Sequence, residues 1–407
     1  MNQREIRRIL KDNDFIHESG TPEELRVAEY LQAKCQALGA ETHLEAFDVE
    51  MTKVHVSRLS ADGRDYPCQG FRLCGSGVVE APFLYLPSTD PISLREARGK
   101  IVLLDTGVTH FLYQDLLEAG IAGFITYTGS VFFRDRDIDQ KELRSYVSLG
   151  KKTLGVNLNA KDAAQLVRQN PKTVRIEVQQ DEFPGQSHNV VAMLPGEREE
   201  FLLLSAHYDT TALSRGSYDN MTGCIGLLSV LDTLRGKKLR YGLRFVFCGS
   251  EERGLLGSKA YAEAHEEELK RCALNINLDM IGSSMGKFIA CVSAEEALVS
   301  YLGYLGGELG WPIEAKMGVY SSDSTPFADK GVPALSFARM APRNQSNIHT
   351  RYDTMAVLSE EQILRDSQFV AEFTRRMAQS VQCPVSRNIP DRVKTELDEY
   401  LNRKRKG

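Results

Sequence analysis

The sequence predicts an α/β protein: a three-layer α/β/α domain with a mixed, mostly parallel sheet, plus an inserted, mostly-β domain. Three observations carry that expectation. From about residue 186 long apolar runs alternate with helical patterns, and runs apolar on both sides of the strand belong in parallel sheets covered on both faces. Residues 56–185 have a different texture, short strands broken by turns. The acidic and imidazole side chains grouped below all lie after residue 200, most of them at the ends of apolar runs.

The elements follow in order. Gly20-Thr21-Pro22-Glu23-Glu24 is a helix start, with Thr21 as N-cap, Pro22 in the first turn and acids at the positive end. Val27, Tyr30, Leu31, Cys35 and Leu38 recur at helical spacing until Gly39. An extended segment, residues 43–54, closes the first section, 1–55. Within the insert, 56–185, strands are expected at 83–86, 100–105, 123–127 and 174–178, and helices at 111–119 and 161–169. The section 186–385 should hold strands at 188–193, 201–205, 243–248, 273–278, 288–292 and 334–337. Its helices are expected at 223–234, 258–269, 295–309 and 360–379. Pro384 breaks the chain before a polar helical tail, 386–407.

Composition sets the bounds. The 407 residues are 42% hydrophobic and 26% charged, an ordinary globular balance with material for a large core and two or three domains. A net charge of -5 gives no footprint for nucleic acid, and the basic ending Asn402 to Lys406 reads as a solvated tail. Residues 1–18 carry Arg4, Arg7, Arg8 and Lys11 and lack an apolar stretch, so neither secretory signal nor anchor is expected. No run approaches the roughly 18 apolar residues of a spanning helix. A cytoplasmic protein with no membrane partner is the expectation. The eight cysteines form no CxxC pair and read as buried free thiols, with a Cys68–Cys74 disulfide as the alternative.

His207, Asp219, Glu252, Asp279 and His349 are the candidate metal ligands. His207 follows the strand 201–205, and Asp209 stands two residues on, where a carboxylate can steady a metal-bound imidazole. Asp219 precedes a helix and taken alone reads equally as its cap. As a ligand, its two oxygens could bridge two cations. Glu251-Glu252 follow the strand 243–248, and two adjacent acids there are costly to crowd unless cations neutralise them. One can bind metal while its neighbour moves a proton. Asp279 ends the strand 273–278, and His349 sits in a loop. Two imidazoles and three carboxylates suit zinc, and less often cobalt or manganese.

At these residues the chain resembles the co-catalytic zinc aminopeptidase family, bacterial leucyl aminopeptidases and glutamate carboxypeptidase II type enzymes among them. The family order His-x-Asp, Asp, Glu-Glu, Asp, His matches His207-Tyr208-Asp209, Asp219, Glu251-Glu252, Asp279 and His349. Gly99 to Leu103 and Ala119 to Phe124 make the insert similar to a protease-associated domain, a lid by this reading. The resemblance implies two zinc ions bridged by Asp219, one completed by His207 and Asp279, the other by Glu252 and His349. It implies Glu251 as general base, Asp209 as the orienter of His207, and Tyr320 near an oxyanion-binding position. Ser322-Asp323-Ser324-Thr325-Pro326-Phe327 is similar to the family's Ser-Asp-His-x-x-Phe segment, with Ser324 in place of the histidine.

The implied activity is an exopeptidase acting on short peptides, foremost an aminopeptidase. A dipeptidase or carboxypeptidase would instead need a basic clamp, for which Arg215, Arg339, Arg343 and Arg351 are available. A glutaminyl-cyclase-like transferase works with one zinc, and a receptor or scaffold would have lost ligands. Nothing in the sequence sets the oligomeric state.

Overall fold

Thr21 caps the first long helix as its side chain predicts, its hydroxyl accepting the N–H of Glu24 at 3.3 Å. The helix Pro22–Ala37 buries Val27, Ala28, Leu31 and Cys35 on one face and ends before Gly39, whose φ is +83°. The protein is described by a computed structural model over residues 1–342 and 345–405. Arg343 and Lys406, named above as a substrate clamp and as part of the tail, lie outside the described residues.

The chain divides into two units, Met1–Val49 with Gln186–Gly407, and Glu50–Gly185. In the first, the strands run in the order Glu314–Met317, Lys287–Ser293, Ala334–Met340, Cys272–Leu278, Phe201–His207 and Gly242–Cys248. The last residues of Thr173–Leu194 form the next strand. Neighbours are parallel except where Lys287–Ser293 meets Ala334–Met340 and where Gly242–Cys248 meets Val190 to Leu194.

Alternating side chains of this sheet enter separate cores. Leu202, Leu204, Phe245, Phe247, Leu274 and Ile276 pack with the helices Pro22–Ala37, Thr222–Leu234 and Glu360–Gln379. Phe201, Leu203 and Val246 pack instead with Tyr261, Ala262 and Phe327, which come from Leu256–Ala264 and Ser324–Asp329. Both faces are covered, which makes three layers.

The second unit has its own sheet and core. Gly77–Leu86, Ile101–Leu104, Gly123–Thr128 and Gly155–Asn159 run parallel, with Cys68–Gly70 antiparallel at one edge and Val174 to Val178 at the other. Tyr113 and Leu116 of His110–Ala119 and Leu166 of Ala160–Gln169 pack on Phe124, Ile101 and Val156. These two helices stand where helices were expected, at 111–119 and 161–169.

Other differences are local. The two strands expected at 174–178 and 188–193 are one continuous strand, Thr173–Leu194, despite Pro184 and Gly185. The expected helix 258–269 is two pieces, Leu256–Ala264 and Glu266–Leu269. All eight cysteines are free, so the Cys68–Cys74 disulfide does not form. Among the described residues no helix is long and apolar enough to cross a membrane.

Candidate metal centre

Parallel register explains why distant residues meet. Phe201–His207 pairs with Gly242–Cys248 so that His207 stands opposite Cys248, and Glu251-Glu252 follow directly in the next turn. On the other side Leu278 stands opposite Phe337, and Asp279 follows it. The carboxyl ends of neighbouring strands thus deliver an imidazole and acids to one edge.

Asp219 reaches this edge from the turn Ser217–Met221, whose Asp219-Asn220 peptide is cis. Asn220 fastens that turn to the strand end. Its Nδ2 donates to Leu278 O at 2.9 Å, and its Oδ1 accepts the N–H of Gly223 and of Met280, each at 3.0 Å. A Cβ at Gly223 would meet Leu278 O at 2.4 Å and Asn220 Oδ1 at 2.5 Å, so only glycine lets the helix approach here.

The five candidate ligands form two triads that share Asp219: His207, Asp219 and Asp279, and Asp219, Glu252 and His349. His207 Nε2 lies 3.1 Å from Asp219 Oδ1, while His349 Nε2 lies 3.1 Å from Asp219 Oδ2 and 3.1 Å from Glu252 Oε1. Among the described residues, Asp279 Oδ1, 3.8 Å from His207 Nε2, is buried without a hydrogen-bond partner. A tetrahedral ion with bonds of about 2.0–2.1 Å sets neighbouring ligand atoms roughly 3.3 Å apart. The spacing, the orphaned oxygen and the mix of nitrogen and carboxylate oxygen all fit a zinc-type cation.

The charges agree. Burial alone would push the Asp219 carboxyl up, but hydrogen bonds from His207 and His349 outweigh it and hold it below the ordinary carboxylate range. Burial opposes a charged His349, yet Asp219 and Glu252 raise it to about 11. His207 is likewise raised against burial by Glu251, Asp209, Asp219 and Asp279. The edge holds more negative charge than its own side chains neutralise, which favours cations.

Glu251 stands apart from both triads. Its carboxyl is raised far above the ordinary range, first by burial and then by the charges of Glu252, Asp323 and Asp279, with His207 pulling the other way. A carboxyl so placed can take up and release a proton.

Asp209 is fully buried, and its carboxylate lies beside the His207 imidazole and also holds the following loop. It accepts the backbone N–H of Glu251 at 2.8 Å and of Glu252 at 3.2 Å. His207 Nδ1 is 3.3 Å from the Asp209 carbonyl oxygen and 3.6 Å from its Oδ1. The phenol of Tyr320 contacts Met340 Sδ at 3.6 Å and is held above its usual pKa by burial and by Asp279, Tyr218 and Asp219. Ser324, at the position of the family's histidine, shares a 2.8 Å hydrogen bond with Ser336 inside a buried serine and asparagine network. Of the arginines set aside for a substrate carboxylate, Arg339 is locked on Asp366 at 2.6 and 2.8 Å, and Arg215 pairs with Asp14 at 3.1 Å.

Asp353 was missed from sequence. Its Oδ1 accepts the N–H of Tyr218 at 2.8 Å, and its Oδ2 accepts the N–H of Asp219 at 3.2 Å and the hydroxyl of Ser214 at 3.0 Å. Burial and the Asp219 charge raise it to about 7. The only signal in the chain is a polar stretch after His349, indistinguishable from an exposed loop.

Residues 189–374 match the model of peptidase family M28. The chain is 25% identical over 375 residues to aminopeptidase YwaD of Bacillus subtilis, covering 85% of this chain and 77% of that protein. It is 31% identical over 194 residues to leucine aminopeptidase 2 of Trichophyton rubrum, which is 46% of this chain and only 38% of the fungal protein. The structure superposes on an aminopeptidase from Aneurinibacillus sp. strain AM-1 with a TM-score of 0.75 at 21% identity, covering 95% of this chain and 96% of the other. BSAP, a zinc aminopeptidase from Bacillus subtilis, gives 0.75 at 21% identity, covering 91% and 93%. These structural likenesses establish the mixed α/β fold. The segment that holds all five candidate ligands is thus the part of the chain that matches peptidase family M28.

Proposed function

We propose that the chain is a zinc-dependent aminopeptidase that removes N-terminal residues from short peptides. The observation that carries the proposal is Asp219, whose two oxygens face different triads. The aminopeptidase names of the relatives support the same reaction class. His207, Asp219 and Asp279 would hold one zinc, and Asp219, Glu252 and His349 the other, with cobalt or manganese as substitutes. Two such ions supply an activated water and an electrophile for the scissile carbonyl.

The chain's own residues do the rest. Glu251 takes the proton of the attacking water and passes it to the leaving amine. Asp209 fixes the backbone on which Glu251 and Glu252 stand. Tyr320 keeps its phenolic proton and is the candidate donor to the developing oxyanion. The unit Glu50–Gly185 is assigned as the protease-associated-like domain.

Steady-state assays on an aminoacyl-anilide and on an N-blocked peptide with a free C-terminal carboxylate test the reading. Cleavage of the free-amine substrate alone is expected. Preference for the blocked peptide, lost on amidating its C-terminal carboxylate, would make the enzyme a carboxypeptidase.

A further inference from the structure

We propose that Glu24 is a positioning residue for Glu251, holding from the N-terminal helix the loop that carries the catalytic glutamate. The proposal rests on the assignment of Glu251 as general base.

Glu24 occupies the third position of Pro22–Ala37, where a glutamate ordinarily reaches back over the helix start at the surface. Here it is 1% exposed. Its Oε2 accepts the N–H of Gly20 at 2.6 Å and its Oε1 accepts the hydroxyl of Ser187 at 2.6 Å. The backbone of Ser250, the residue before Glu251, lies close enough to lower the carboxyl's pKa against burial.

Ser250 has φ +57°, a left-handed conformation that serine adopts at a cost and that needs holding from outside. Ser19 supplies a second hold through its hydroxyl, hydrogen-bonded to that of Ser250. Gly249 makes the approach feasible: a Cβ there would lie 2.5 Å from Ser187 Oγ and 2.9 Å from Glu24 Oε1. Asp209 takes the N–H groups of Glu251 and Glu252, while Glu24 and Ser19 lie against Gly249 and Ser250 just before them. A loop held on both sides of Ser250 resists shifting its glutamate away from the attacking water. Burial raises Glu24 to about 8 against the pull of its hydrogen bonds, so a mere helix cap would be better served at the surface.

The test is a double-mutant cycle on the metal-loaded enzyme. Glu24→Leu keeps the volume and removes the acceptors. It should lower kcat about 10- to 100-fold, the scale of a misplaced catalytic group, with KM within about twofold and bound metal unchanged. Glu24→Gln, which keeps an acceptor oxygen, should recover most of that loss. In the Glu251→Gln background, Glu24→Leu should change the residual rate by less than about twofold, because both act on one step. A loss that multiplies in that background, or a Glu24→Leu enzyme at the parent kcat, overturns the positioning role. Should Glu24→Leu fail to fold, Ser187→Ala loosens the same carboxylate. A drop of about threefold in kcat that vanishes with Glu251→Gln supports the proposal, and an unchanged kcat overturns it. Near-parent activity of Glu251→Gln alone would bring down the base assignment instead, a distinguishable outcome.

Discussion

Oδ2 of Asp353 accepts the backbone N–H of Asp219 at 3.2 Å, from a position four residues beyond His349. The loop that delivers one imidazole therefore also anchors the carboxylate shared by both triads. Asp353→Ala should leave the N–H groups of Tyr218 and Asp219 without their acceptor and let Asp219 drift. Losing a support of this kind costs about 10- to 100-fold in metal affinity. Competition with a chelator of known affinity measures it, and unaltered affinity would show that the anchor is dispensable.

Asp209→Asn should act on turnover rather than on metal. The asparagine offers one oxygen where two N–H groups, of Glu251 and Glu252, arrive. One N–H must then face an amide NH2. A fall in kcat of about 10- to 100-fold with bound metal retained is expected from steady-state kinetics beside elemental analysis. If metal is lost in proportion to activity, the side chain serves the ligands and not the base.

Gly223→Ala inserts a Cβ within 2.4 Å of Leu278 O, backbone next to Asp279. Helix and strand end must separate, at about 1–3 kcal/mol. Urea unfolding should show that loss together with weaker metal binding. Parent stability would mean that the helix start relaxes freely.

Glu24 makes stability depend on pH in a definite direction. Its folded pKa is raised to about 8 by burial, above the ordinary carboxylate value, so folding takes up a proton. Its stabilising contribution is complete below about pH 4.3 and is lost as pH rises through the folded value, at no more than about 1.4 kcal/mol per pH unit. Glu24→Gln cannot titrate. Between pH 5.5 and 8.5 the parent should therefore lose stability relative to the variant in the same buffer series. Parallel curves would place the Glu24 carboxyl near its ordinary value.

Much of this centre was legible because each ligand stands in a readable place. His207 and Asp279 close apolar strands, Glu251-Glu252 follow one, and polar residues at such ends call for an explanation. Glu24 and Asp353 were not legible as part of it. A glutamate at a helix start and an aspartate after a loop histidine are common solvated acids, and only the fold buries them to 1% exposure. The continuous strand Thr173–Leu194 was read as two because Pro184 and Gly185 ordinarily break strands. Its residues 173–178 and 190–194 pair with different partners, Gly77–Leu86 and Gly242–Cys248, and Pro184 falls in the exposed stretch between. Glu314–Met317 escaped notice because four alternating residues give no apolar run.

Glu251→Gln should keep its metal and lose about 10²–10⁴-fold in kcat, the usual worth of a positioned general base. Activity and metal content measured on one preparation separate base from ligand, and a metal-depleted variant would move Glu251 among the ligands.

The sharing of Asp219 between two cations is tested most directly by elemental analysis of the purified parent and of Asp219→Ala after equal dialysis against trace zinc. Two equivalents in the parent and none retained in the variant are expected. A single equivalent in the parent, or two in Asp219→Ala, would contradict a centre built on that carboxylate.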